Sequence, residues 1–399
     1  MTPILFLAHR IPYPPDKGDK IRSFHLLTFL AERHDVHLGA FVDALEDEEH
    51  RARLAAICAS THLPRLHKLH ARARSLTGLV AGTPMTVPYY RDAGMRRWVD
   101  AAIARHGISR VVVFCSSMAQ YVSGERYRSM RRIIDFVDID SDKWRQYGEA
   151  RNWPASWIYR RESRTLLAYE TAIAREFDRC FFVSEAEADH FRTLAPGPGG
   201  NVASLRNGVD LQYFDGRESF ANPYPVGARV TVFTGAMDYW ANVDAVTWFA
   251  ERVFPAVRRN DPSARFFIVG SNPSPGVNAL AGDGVTVTGR VPDVRPYLQH
   301  AQCAVAPLRL ARGVQNKVLE ALAMGCPVVA SSKAAKGIAR AGEGHVIVAD
   351  EPHDYAAAVA QLLVSPRDPA RSAAARDFVV ENYDWPKNLA AIEDWLSPR

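Results

Sequence analysis

The sequence predicts an α/β protein built from two Rossmann-like, doubly wound domains. Three observations lead there. Short β-branched runs alternate with longer amphipathic segments twice along the chain, a glycine- and proline-rich break separates the two series, and 399 residues exceed what one ordinary core organises. A hydrophobic fraction of 47% with 23% charged residues leaves enough apolar side chain to bury both cores.

In the first series, apolar stretches at 4–8, 36–41, 111–115, 133–137 and 180–183 read as strands, and 21–32 reads as the first crossover helix. The break comes at Pro196-Gly197-Pro198-Gly199-Gly200, followed by the Asn207-Gly208 turn and the loose Asn222-Pro223-Tyr224-Pro225. Alternation resumes with strands at 230–234, 266–269, 285–288, 303–306 and 328–331 and a helix over 243–254. The expected organisation is an N-terminal domain over 1–205, a linker over 206–228, a C-terminal domain over 229–380 and a terminal helix over 381–399. A helical reading covers 366–396 with aromatic anchors Phe378, Tyr383, Trp385 and Trp395; Pro386 is expected to break it toward its middle, the kinked end packing against the first domain. Sheets of this type take ligands beyond the carboxyl ends of their strands, so the two domains are expected to face each other across a cleft.

Charge and cysteine usage narrow the function. A net charge of +5 is too small for a committed nucleic-acid binder. Between residues 51 and 100, however, nine Lys and Arg stand against only Asp92 and Asp100, so the basic surface is local. The window contains 67–80, a candidate basic amphipathic helix for peripheral contact with an inner membrane; a solvated helix face is the competing reading. Five scattered cysteines without a C-x-x-C pair argue against a disulfide framework and a zinc site, and fit a cytoplasmic chain. The stretch at 4–8 lacks the basic leader and cleavage site of a signal peptide.

The chemistry concentrates at 305–330. A strand ending at Val305-Ala306 leads into a loop with Gly313, Val314 and Gln315, then a helix opening at Asn316-Lys317, with Glu320 one turn on and Gly325 closing it. Amides at a helix start, reinforced by a lysine, make an anion site suited to a diphosphate, and Glu320 is placed to accept hydrogen bonds from sugar hydroxyls.

The run G-x-x-N-K-x-L-E-A-x-A-x-G-x-P-V-V-A over 313–330 resembles the donor motif of retaining, family-4-like glycosyltransferases of the GT-B fold. The likeness extends to Asn207-Gly208-Val209-Asp210, to 233–238 and to 287–291. With the opening 10–23 it is most like the sugar transferases associated with exosortase (PEP-CTERM) and exopolysaccharide systems. The resemblance implies transfer of a sugar from a nucleotide diphosphate sugar to a saccharide or polyprenyl-linked acceptor, with no further cofactor and no metal. It assigns Glu320 to the donor ribose and the loop 313–317 to the diphosphate. Arg312 stands where the family often has a first glutamate, which puts the identity of the sugar in doubt.

Further candidates lie at strand ends. Gly18, with Lys17, Lys20 and Arg22, is expected to let backbone approach a ligand, against the reading of an ordinary turn capped by Asp19. Asp138 and Asp140 belong to a run of four acids in eight residues and are the acceptor-side candidates; helix capping competes. Gly235 and Asn242 are expected to contact the nucleotide sugar, and Arg290 to stabilise charge on the departing diphosphate. Two other functions remain open on this sequence: a sugar-nucleotide epimerase of the same architecture, and a non-catalytic nucleotide-sugar-binding module. A nicotinamide dehydrogenase is disfavoured because neither domain opens with G-x-G-x-x-G.

Overall fold

The computed structural model describes residues 1–15, 18–149, 151–197, 200–310, 314–338 and 344–396. It divides into two units: unit 1 comprises residues 1–206 and 389–399, unit 2 residues 207–388.

Unit 1 holds a seven-stranded sheet of β1 (Thr2–Ala8), β2 (His34–Ala40), β3 (Ser60–His62), β4 (Arg110–Phe114), β5 (Arg131–Val137), β6 (Arg179–Phe182) and β7 (Val202–Ser204). Their spatial order is β3-β2-β1-β4-β5-β6-β7, and every pair is parallel. The near-continuous apolar character of β1 and β4 follows from this: with helices on both faces, both side-chain rows are buried, and residues 4–8 are wholly inaccessible. Unit 2 repeats the plan with β8 (Arg229–Thr234), β9 (Ala264–Val269), β10 (Val285–Gly289), β11 (Cys303–Ala306), β12 (Val328–Ala330) and β13 (Val346–Val348), ordered β10-β9-β8-β11-β12-β13 and parallel throughout. Both orders are those of the doubly wound dinucleotide-binding sheet.

Three departures from the sequence reading have physical causes. The strands β3, β7 and β13 escaped it because each is a three-residue edge strand, too short to show a period. The 206–228 stretch expected as a linker belongs to unit 2 from Asn207 onward, where Val209, Phe214 and Tyr224 are buried in the core. Pro386 does not interrupt a helix. One helix ends at Asn382, the next runs Trp385–Leu396, and Pro386 sits in its first turn, where a missing N–H costs nothing. That last helix starts in unit 2 and from Leu389 onward is part of unit 1. There Leu389, Ile392 and Leu396 are buried, Glu393 meets His34 at 3.0 Å, and the Trp395 carbonyl accepts from Arg131 Nε at 2.8 Å.

Candidate functional site

Each sheet changes winding direction once, between β1 and β4 in unit 1 and between β8 and β11 in unit 2. Crevices beyond the carboxyl ends of strands at such a switch are where these folds take ligands.

The expected donor residues collect at the switch of unit 2. Gly235 directly follows β8, and the Asn316–Ala323 helix begins after the loop that leaves β11. Asn242, on the Trp240–Trp248 helix, accepts from Lys317 Nζ at 2.5 Å and donates from Nδ2 to the Ala236 carbonyl at 2.9 Å. Lys317 Nζ also lies 4.1 Å from the centroid of the Phe233 ring. The Gln315 side chain, at the N-cap of the Asn316–Ala323 helix, makes no capping hydrogen bond to its first turn. The Asn316 carboxamide oxygen accepts from Asn207 Nδ2 at 3.3 Å, which ties the Asn207-Gly208 turn to the same helix start.

Two glycines are required here. A Cβ at Gly235 would lie 2.8 Å from Asn242 Nδ2 and 3.2 Å from Lys317 Nζ, and one at Gly270 only 1.7 Å from the Gly235 carbonyl oxygen. Both residues have positive φ, 151° and 156°. Gly235 N donates to Val269 O and Gly270 N to Gly289 O, so the ends of β8, β9 and β10 are laced side by side. Arg290 follows at that same sheet edge with an exposed side chain. Val314 is partly buried, with its side chain packed against the unit 2 core. Gly313, and Arg312 beside it, lie outside the described residues.

Burial draws the Lys317 ammonium down to about 7, with Glu320 opposing, and pushes the Glu320 carboxyl up to about 7, with Lys317 opposing. The environment therefore withholds charge from both groups, and an anion at the helix start would restore it to Lys317.

In unit 1 the acidic run is differently disposed. Asp135 is buried and paired with Arg22, whose Nε and Nη2 donate at 2.6 and 3.0 Å. Val137, at φ 69°, turns the chain out of β5, after which Asp138 and Asp140 both hold Lys143 Nζ at 3.0 Å. Their charges raise Lys143 well above its usual range against the opposing effect of burial. Asp142 pairs with Arg145 at 2.6 Å. The two acceptor-side candidates are thus brought together, but around an internal lysine. Among the described residues no group of three or more His, Cys, Asp or Glu is placed to hold a metal ion.

Of the cations expected to serve an anion site after β1, two are paired within the unit. Lys20 donates to both Asp47 carboxylate oxygens at 2.8 Å in a buried pair, and Arg22 is committed to Asp135, so neither cation is available to a ligand. A Cβ at Gly18 would meet no atom of the chain within 4 Å. Lys17 lies outside the described residues. Asp19, read as a cap, instead meets His9 Nε2 at 3.3 Å and Arg10 at 3.2 Å.

His9 is a candidate that sequence reasoning missed. It follows β1 directly, stacks on Phe114 at 5.9 Å, and has a buried Nδ1 that finds no N or O partner among the described residues. Burial opposes its charge, yet the neighbouring Cys115 and Asp19 hold the imidazolium up to about 10. Register supplies the reason: Ala8 pairs with Phe114, so His9 and Cys115 are the next residues on adjacent strands at the unit 1 switch. The available signal was a histidine placed immediately after the first strand.

Comparison with known proteins bears on this geometry. Residues 228–365 match the family described as Glycosyl transferases group 1. The matched segment lies wholly within unit 2 and contains Gly235, Asn242, Arg290, Lys317 and Glu320. No curated protein matches the chain by sequence. Solved structures similar to it include sucrose-phosphate synthase from Thermosynechococcus elongatus, 18% identical with a TM-score of 0.70, covering 99% of this chain and 98% of that one. Anabaena HepE in complex with UDP and glucose is 15% identical with a TM-score of 0.69, each chain covered completely. WaaG, a glycosyltransferase involved in lipopolysaccharide biosynthesis, is 16% identical with a TM-score of 0.65, covering 98% and 99%. The architecture is accordingly GT-B over the whole chain.

Proposed function

We propose that this chain is a retaining glycosyltransferase that moves a sugar from a nucleotide diphosphate sugar to a saccharide or lipid-linked acceptor. The observation that carries the reading is the cluster of Gly235, Asn242 and Lys317 at the start of the Asn316–Ala323 helix, inside the segment that matches the group 1 family. A diphosphate there meets the helix dipole, the Lys317 ammonium and backbone that only glycine allows so close. Glu320, one turn deeper, takes the ribose hydroxyls, and Arg290 adds charge as the diphosphate departs. The HepE structures with UDP and with UDP-glucose support a donor of this class. A role in exopolysaccharide or surface-glycan assembly, in the cytoplasm and peripheral to the inner membrane through the basic 51–97 region, completes the reading. Among the described residues no helix is long and apolar enough to cross a membrane.

The test is a thermal-shift screen of uridine and guanosine diphosphate sugars on the wild type, Lys317→Ala and Glu320→Ala, followed by donor-consumption assays with glycan and lipid acceptors. Stabilisation by a nucleotide sugar that either variant abolishes, with acceptor-dependent donor consumption, is the expected result. Turnover of donor without acceptor indicates an epimerase, and binding without any turnover a binding module; either result overturns transfer.

A further inference from the structure

Cys115 differs from the other four cysteines in where it stands. Cys58, Cys180, Cys303 and Cys326 are buried, and burial pushes their thiols up, to about 12 for Cys58 and Cys303. Buried thiols of this kind are inert. Cys115 is partly exposed just past the carboxyl end of β4, the end at which sheets of this kind take ligands. Its backbone, at φ 71° and ψ 156°, occupies a region otherwise nearly confined to glycine, in the turn between β4 and the helical segment Ser116–Tyr121. A strained turn between a strand and a helix is a recurrent seat for a nucleophile.

The groups around the sulfur form an ordered set. Register puts His9 beside Cys115, and the imidazole shares a hydrogen bond with the thiol. His9 Nε2 is held by Asp19 at 3.3 Å, so Nδ1, which finds no N or O partner among the described residues, is the nitrogen left for the sulfur. Thiol, imidazole and carboxylate thus follow one another as nucleophile, base and the group that fixes the base. The Ser117 hydroxyl lies 3.1 Å from Cys115 Sγ. The Arg10 guanidinium, itself joined to Asp19 and Asp43, and the Tyr90 and Tyr169 hydroxyls lie within reach of the charge a Cys115 thiolate carries.

Donors without an acceptor accompany this set. Arg10 Nε, Ser116 Oγ and Tyr169 Oη are buried and find no hydrogen-bond partner among the described residues, and Ser116 is only 1% exposed. Buried polar groups left open in this way mark a place for a polar molecule. Each of the three can donate, so the molecule that suits them carries acceptor oxygen.

We infer that Cys115, with His9 as base and Asp19 holding His9, is a reactive thiol that hydroperoxides oxidise to a sulfenic acid. The thiol proton passes to His9 Nδ1 and the sulfur attacks one peroxide oxygen. An S–O bond forms as the O–O bond breaks, and the departing oxygen takes the proton from His9 and leaves as water or an alcohol; sulfur is oxidised and the peroxide reduced. The reaction is separate from sugar transfer, since it needs neither donor nor acceptor saccharide.

The test is labelling of the full folded chain with iodoacetamide, and with hydrogen peroxide in the presence of dimedone, each cysteine being read by peptide mass spectrometry against the urea-unfolded chain. Burial slows a cysteine relative to the unfolded chain, whereas an adjacent base speeds it. Cys115 is expected to react about tenfold faster folded than unfolded, and the other four more than about tenfold slower. His9→Gln should remove the acceleration, and Asp19→Asn, which keeps the size of the side chain, should remove part of it. Between about pH 6 and 8 the wild-type rate should rise less steeply than that of His9→Gln, because the imidazole takes the thiol proton. A Cys115 rate at or below the unfolded one, a rate and pH dependence unchanged in both variants, or dimedone adducts spread over several cysteines would each overturn the inference. No nucleotide sugar enters these readouts, so failure here leaves the transferase reading standing.

Discussion

Burial disfavours the charged form of Lys317, whereas the proposed diphosphate contact requires that form. Its pKa, drawn by burial to about 7, lies below that of an exposed lysine, so the folded state binds fewer protons there than the unfolded chain. The lysine's contribution to stability therefore declines as pH falls toward 7. Replacing it with Met should raise the melting temperature of the ligand-free protein at neutral pH by about 2–4 °C while abolishing nucleotide-induced stabilisation, as differential scanning fluorimetry will show. A diphosphate prefers the protonated lysine, so nucleotide affinity measured by calorimetry should weaken above pH 7, by at most about tenfold per pH unit, with proton uptake on binding. Glu320→Gln keeps the shape and removes charge-assisted acceptance, and is expected to cost about 10- to 100-fold in the same affinity. Lys317 and Glu320 were legible in the sequence because both lie in one local motif. His9 was not, because its partners Asp19, Phe114 and Cys115 meet it only through a turn and a strand register.

At the level of elements, the carboxyl ends of parallel strands are fixed by close backbone contacts and buried pairs. Gly270→Ala would drive a Cβ into the Gly235 carbonyl and separate β8 from β9, so a loss of about 3 kcal/mol or more is expected in urea denaturation, together with loss of nucleotide binding. Arg22 joins the first helix to β5 through Asp135, both side chains being nearly inaccessible. Arg22→Ala should cost about 3–5 kcal/mol by stranding a buried carboxylate, whereas Arg22→Met/Asp135→Leu should recover much of it. The expected strand positions overlapped ten of the thirteen strands, because the buried ones carry unbroken apolar runs. The 243–254 helix was legible only in outline. It is Trp240–Trp248, then a π-helical stretch Phe249–Val253, then Phe254–Asn260, and hydrophobic periodicity does not report such a change of winding. The cations after β1 misled for a related reason: a basic residue beside a predicted strand end has the same letter whether it meets a ligand or, as with Lys20 and Asp47, a carboxylate 27 residues away.

On the scale of the molecule, the chain is two similar sheets, with the first unit completed by the last helix of the second. Ile392 is buried in unit 1, so Ile392→Ala is expected to destabilise that unit by about 2–4 kcal/mol. In a two-transition denaturation it should shift one midpoint and leave nucleotide-induced stabilisation of unit 2 in place. By itself the sequence determined the doubly wound class of both units, since the alternation of apolar runs is written in contiguous residues; the proposed donor site rests on an equally local run, a loop, a lysine and a glutamate spaced along one helix. Only the tertiary structure decided that Val209, Phe214 and Tyr224 of the 206–228 stretch enter the unit 2 core, that Lys20 and Arg22 are paired internally, that Asp138 and Asp140 share Lys143, and that His9 stands at the unit 1 switch. Each of these depends on which residues meet across long stretches of chain. Hydrophobic pattern selects the elements, but strand register and burial select the partners.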